Sequence, residues 1–130
     1  MSLENLTILY VEDDLDTQRL IKRILDSTAK EVYVASDGEE GFEVYEERSP
    51  DIVLTDICMP KMDGLEMSKK IKELNPTQPI AIFTAFNEPE YLKQAAELEI
   101  GTYILKPFDR EQFFNSLEYL AMMVESGEDS

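Results

Sequence analysis

Five short runs of strand-forming residues, around Thr7–Val11, Glu31–Ala35, Ile52–Leu54, Pro79–Phe83 and Tyr103–Leu105, each give way to a stretch whose apolar residues recur at helical spacing. No other feature constrains the fold as much. A strand, a helix and a further strand close with parallel pairing and a right-handed crossover. Five such units make a five-stranded parallel sheet between two helical layers. In the third run Ile52, Val53 and Leu54 are apolar at successive positions, as a central strand covered on both faces requires. The expected class is α/β, a single doubly wound domain.

The helical stretches carry their own punctuation. The first is expected to turn Leu20, Ile21, Ile24 and Leu25 inward, with Arg19, Lys22 and Arg23 outside. Asp37 and Glu40 have the spacing of a capping box, opening a second helix through Phe42, Val44 and Tyr45 that Ser49 and Pro50 end. A third presents Leu65, Ser68, Ile71 and Leu74 on one face and stops at Asn75 and Pro76. The fourth starts within Asn87–Glu90, faces inward with Leu92, Ala95, Ala96 and Leu98, and closes at Gly101. Asp109 to Gln112 opens the fifth, which carries Phe113, Leu117, Leu120 and Val124 inward, while Gly127–Ser130 is expected to fray. Met122 and Met123 read as helix packing, Asp14 as a cap and Asp63 as a turn residue.

Composition narrows the chemistry. A chain of 130 residues has room for one ordinary core, and no apolar run is long enough to span a membrane. With no targeting peptide visible in Met1–Asn5, the expected location is cytoplasmic. Cys58 is the single cysteine and there is no histidine, which excludes an intramolecular disulfide, Cys/His or Ser/His catalysis and the usual zinc sites. A net charge of −16 repels phosphate backbones, so direct nucleic-acid binding by these residues is not expected and a basic partner or hard cation is favoured.

The strands share a further property, for several of them end on polar groups. Val11 is followed by Glu12, Asp13 and Asp14, the central run ends on Asp56, Phe83 is followed by Thr84, and Leu105 by Lys106. In an open parallel sheet the crevice at the carboxyl ends of the strands is where ligands collect. Taken singly, each residue has a structural explanation: a strand hydroxyl for Thr84, a snorkelling surface lysine for Lys106, an edge aromatic for Tyr103, a helix cap for the acids. Together, three carboxylates in one mouth repel each other unless their pKa values rise or a cation is bound. Oxygen-only donors point to Mg2+, which is poised to meet a phosphoryl group. Phosphoryl transfer needs positioning and charge neutralisation, which a metal, a lysine and a hydroxyl supply, and Asp56 at the centre is the candidate acceptor.

On these motifs the chain resembles the receiver domain of bacterial two-component response regulators, a chemotaxis-regulator-like superfamily, from Leu6 to about Val124. The matching residues are Val11-Glu12-Asp13, Leu54 to Pro60 around Asp56, Met62 to Gly64, Phe83-Thr84-Ala85 and Lys106-Pro107-Phe108. The resemblance implies a (βα)5 flavodoxin-like sandwich, with a receiver domain over 1–125 and a disordered acidic tail over 126–130. It further implies Mg2+ held by Glu12, Asp13, Asp56 and the backbone carbonyl of Cys58, phosphoryl oxygens held by Thr84 and Lys106, and a cis bond before Pro107. The Cys58 thiol has no part in that scheme.

The implied activity is that of a phosphoacceptor rather than an enzyme: Asp56 takes a phosphoryl group from a histidine kinase or phosphotransfer protein, and a Thr84–Tyr103 switch remodels a surface read by a downstream protein partner. Two alternatives stand beside it. A magnesium-dependent aspartyl-phosphate phosphatase usually has a second acid two residues after the nucleophile, where this chain has Cys58, and needs a capping insertion. A phosphorylation-independent adaptor would not need Asp56, Thr84 and Lys106 intact. No effector domain is visible, so the chain is expected to be a stand-alone receiver or a piece of a longer regulator. The acidic residues usual before Tyr103 and the arginines usual on the last helix are missing, which speaks against the dimer of DNA-linked receivers.

Overall fold

The computed structural model describes residues 3–85, 89–106 and 109–126. After a 3-10 turn at Leu3–Asn5, the elements alternate as β1 (Thr7–Val11), α1 (Leu15–Asp26), β2 (Glu31–Ala35), α2 (Gly38–Arg48), β3 (Ile52–Thr55), α3 (Gly64–Leu74), β4 (Ile80–Ala85), α4 (Pro89–Glu97), β5 (Thr102–Lys106) and α5 (Arg110–Ser126). All pairings are parallel and the strand order is β2-β1-β3-β4-β5. The chain winds outward from β1 to β2, then returns past β1 to lay down β3, β4 and β5 on the other side. The direction of winding therefore reverses between β1 and β3, the position at which such sheets open a crevice.

Period-two alternation sorts the strand residues into two cores. Ile8, Tyr10, Ile52, Leu54, Ala81 and Phe83 meet α1 and α5 through Ile21, Leu25, Phe113 and Leu117. Leu9, Val11, Val53, Ile80 and Ile82 meet α2, α3 and α4 through Tyr45, Met67, Ile71 and Ala95. Every residue of β3 is buried, as the unbroken apolar run requires.

Four of the helices, α1, α2, α3 and α5, begin on aspartates. Asp14, Asp37, Asp63 and Asp109 each accept a hydrogen bond from a backbone N–H three residues on, at 2.7–2.9 Å. Such caps contribute about 1 kcal/mol each and place negative charge at the positive end of the helix. Asp63 is thus more than a turn residue, since Glu66 returns the bond to its N–H in a full capping box. At α2 the return bond from Glu40 goes instead to the N–H of Ser36, 2.8 Å away.

Several inward assignments change. Leu20 is exposed and Gln18 takes its place on the inner face of α1, because its amide reaches backbone carbonyls at the tops of β1 and β2. Leu74 projects into solvent where Met67 is buried, and Ala96 is exposed while Ala95 and Tyr91 face the core. Met122 and Met123 do not pack inward: they are 64% and 37% exposed. The start of α4 before Pro89, the Lys106–Pro107 bond and residues 127–130 lie outside the described residues, while Ser126, expected to open the disordered 126–130 tail, is the last residue of α5.

Gly101 does not close α4. The chain turns at Glu99, whose φ of 63° is left-handed, and the N–H groups of Glu99 and Ile100 bond back to the carbonyls of Ala96 and Ala95 at 2.9 Å. This is the Schellman arrangement, with buried Ile100 against Ala95 and a glutamate where glycine is preferred. Left-handed backbone costs a non-glycine residue about 1–2 kcal/mol, against about 0.5–1 kcal/mol for the extra freedom glycine loses on folding. Glu99→Gly should therefore stabilise the domain by up to about 1 kcal/mol, raising the midpoint of thermal unfolding by about 3 °C.

Candidate functional site

Chain reversal between β1 and β3 sets the end of one strand beside the end of the other. Val11 pairs with Thr55, and the N–H of Asp56 continues the ladder to the Val11 carbonyl at 3.0 Å. Glu12 and Asp56 therefore leave the sheet side by side. Oxygens of Glu12, Asp13 and Asp56 lie within 4.8 Å of one another, close enough to share one metal ion. Glu12 is 2% exposed, Asp56 half-buried and Asp13 exposed. A carboxylate-only donor set of this kind suits a hard divalent cation such as Mg2+.

Each acid is anchored. Asp56 Oδ1 accepts the N–H of Ile57 at 2.9 Å, and Oδ2 accepts the ammonium of Lys106 at 2.8 Å. Glu12 Oε1 accepts the hydroxyl of Tyr10 at 3.3 Å, and Oε2 accepts the N–H of Asp14 at 3.1 Å. Beneath them, Gln18 donates to the carbonyls of Glu12 and Ala35 at 2.9 and 3.1 Å. Neither Tyr10 nor Gln18 was expected at the site. The signal for Gln18 was its spacing, three and seven residues before buried Ile21 and Leu25; for Tyr10 it was alternation, two residues before Glu12, which directly follows β1.

The electrostatics follow from that crowding. Burial raises the Glu12 pKa and the Asp56 charge raises it further, against the lowering effects of the Asp14 N–H and Lys106. Burial alone would lower the Lys106 pKa, but the hydrogen bond and charge of Asp56, with Glu12 and Asp13 behind it, carry it above its ordinary value. Tyr10 is pushed up by burial first and by Glu12 next, so its hydroxyl remains a donor.

Thr84 is buried at the penultimate position of β4, and its strand neighbour on β5 is Leu105, next to Lys106. Tyr103 is half-buried against the α2–α4 core, pairs with Ile82 across the strands, and donates its hydroxyl to the Ile100 carbonyl at 2.9 Å. Cys58 exposes its thiol and directs it to the Tyr91 hydroxyl at 3.4 Å. Sequence-predicted Glu12, Asp13, Asp56 and Lys106 thus meet in one cluster. Thr84 is the last residue but one of β4, the strand beside β3, and Tyr103 lies further down the sheet on β5.

The loop behind Asp56 is held by a close approach. Gly64 opens α3 with its Cα against the Asp56 backbone, where a Cβ would stand 2.0 Å from the Asp56 carbonyl oxygen. Its N–H reaches the Ile57 carbonyl at 2.8 Å, and the Ser68 hydroxyl donates to the Gly64 carbonyl at 2.7 Å. Only glycine fits.

This fold is shared with known proteins. The response regulator receiver domain family matches residues 8–118, and the chain belongs to that family. It is 39% identical over 108 residues to the chemotaxis protein CheY of Treponema pallidum, covering 81% of this chain and 75% of that one. It is 34% identical over 118 residues to the transcriptional regulatory protein ZraR of Escherichia coli O157:H7, covering 91% of this chain but 27% of that regulator. Among solved structures, the N-terminal domain of a Wolinella succinogenes protein superimposes with a TM-score of 0.86 at 35% identity, over 95% of this chain and 99% of that one. Among the described residues no helix is long and apolar enough to cross a membrane.

Gly64→Ala should cost about 1–3 kcal/mol or more in chemical denaturation, as overpacking against backbone does. Glu12→Gln should do the reverse. Because the folded-state pKa of Glu12 is raised, its charge opposes folding above that pKa. In metal-free buffer the variant should melt higher than wild type at pH 7. The gain should shrink as pH falls through the folded-state pKa and vanish near the unfolded value of about 4.3, where both states hold the proton.

Proposed function

We propose that this domain is the phosphoacceptor receiver of a two-component phosphorelay, with Asp56 the acceptor. The observation that carries the reading is the 2.8 Å pair of Lys106 and Asp56 at the centre of a three-carboxylate cluster at the switch point of the sheet. Glu12, Asp13, Asp56 and the backbone carbonyl of Cys58 would hold Mg2+, whose charge would neutralise phosphoryl oxygens during transfer.

The chain's own groups divide the remaining work. An Asp56 carboxylate oxygen attacks the phosphorus of a phosphohistidine on a kinase or phosphotransfer protein. The new P–O bond forms as the P–N bond breaks, and its electron pair returns to the imidazole nitrogen, which takes a proton from water. The product is an acyl phosphate on Asp56. Ile57 N–H orients the nucleophile, and Lys106 follows the charge from the carboxylate to the phosphoryl oxygens. The Thr84 hydroxyl donates to another of those oxygens. Its movement toward them changes the packing around Tyr103, and with it the surface of α4, β5 and α5 offered to a downstream protein.

Such a domain signals through binding rather than turnover of a separate substrate, and it would work in the cytoplasm. Exposed Tyr119 and Met122 on α5 give the proposed output surface apolar contacts. The strong negative charge supports a protein partner over direct nucleic-acid contact by this domain.

Incubation with acetyl phosphate or phosphoramidate and Mg2+, read by intact mass, should add one phosphoryl group to the wild type and none to Asp56→Asn or to the wild type in EDTA. Labelling that persists in Asp56→Asn would sink the acceptor assignment. Binding of Mg2+ without any labelling would favour an adaptor that works without phosphorylation.

A further inference from the structure

Glu12 is buried deeply enough that solvent cannot hold its carboxylate in place, so protein donors must. Its main chain is fixed from below by Gln18 and its Oε2 by the N–H of Asp14. Oε1 is met by the hydroxyl of Tyr10, 3.3 Å away. Glu12 directly follows the last residue of β1, and its N–H still bonds to the Ala35 carbonyl at 3.0 Å, so the pleat carries past Val11 and sets Tyr10 and Glu12 on one face, with the phenol rising toward the acid. The ring has no freedom to leave. Tyr10 is 1% exposed, sits edge-on to Phe83 at 5.8 Å, and Phe83 is in turn 6.1 Å from Phe113.

We propose that Tyr10 is a positioning residue for the cation site: its core-locked hydroxyl holds the Glu12 carboxylate at the angle from which it reaches the ion shared with Asp13 and Asp56. The inference rests on reading the cluster as a Mg2+ site. A carboxylate oxygen has two acceptor positions, so Oε1 can take the Tyr10 bond and still face the cluster. Partners that orient a metal ligand without touching the metal typically change affinity by about 10–100-fold. At 3.3 Å this contact is long for a hydroxyl on a carboxylate, which places its effect at the lower end of that range.

The competing account is that Tyr10 is a core aromatic whose hydroxyl takes the nearest acceptor. Tyr10→Phe separates the two, since it keeps the ring contacts and deletes only the donor. Mg2+ affinity of the unphosphorylated domain is measured by titration calorimetry for wild type, Tyr10→Phe, Glu12→Gln and the double variant. Leu117→Val serves as a control for core perturbation away from the site, and circular dichroism verifies the fold.

Tyr10→Phe should weaken Mg2+ about tenfold, Leu117→Val should not, and adding Tyr10→Phe to Glu12→Gln should cost nothing further. Wild-type affinity in Tyr10→Phe, an equal loss in Leu117→Val, or additive losses in the double variant would each overturn the role of Tyr10 while leaving the metal site standing. Failure of the wild type to bind Mg2+ would overturn the metal-site reading itself, and this inference with it.

Discussion

The adjacency of β1 and β3 is the constraint on which the site depends. A parallel sheet that reverses its winding must place two strand ends next to each other with no helix crossing between them. Here both ends carry acids. Backbone pairing from Val11 to Thr55 and Asp56 brings Glu12 and Asp56 together regardless of their mutual repulsion. The sheet supplies the force that holds like charges in one crevice. What the cluster then does follows from how that repulsion is relieved: in part by the Lys106 ammonium, in part by donors on Glu12, and in the proposed working state by a divalent cation.

Stability and function pull against each other at this crevice, and the rest of the domain is arranged accordingly. The far end of the sheet is tied by satisfied polar contacts. Asp51 accepts from the N–H and hydroxyl of Thr7 at 2.9 and 3.1 Å, and buried Gln78 links the Tyr45 hydroxyl to the carbonyls of Asp51 and Pro79. Aspartates at helix N-termini use negative charge where it helps. The acids at the mouth are held where it does not, and a charge buried at that cost is retained in a crevice that also holds a lysine.

The alternation of strands and helices was legible because each strand run is short, apolar and followed by residues of helical spacing. The strand-end residues were legible for the same reason: Glu12, Thr84 and Lys106 are each the first polar group after such a run, and Asp56 is the first charged one. Helix faces were harder. Leu20 and Ile21 are both apolar, and their hydrophobicity does not say which one turns inward; the partner for Gln18 is a pair of carbonyls, one just past the end of β1 and one at the end of β2. Glu99 in a left-handed turn had no local signal, because burial of Ile100 and the bond to Ala95 compel it from outside the helix. In the sequence Tyr10 is a strand residue and nothing more, since its relation to Glu12 exists only in the pleat.

Cys58 gives the molecule a built-in handle. It is the chain's single thiol, it is exposed, and it stands two residues from Asp56 with its sulfur against the Tyr91 hydroxyl of α4. A maleimide dye or spin label would attach at one place, on the rim of the crevice, touching the helix that follows β4. With no tryptophan in the sequence to compete optically, one reporter at that sulfur would register both cation entry and the placement of α4.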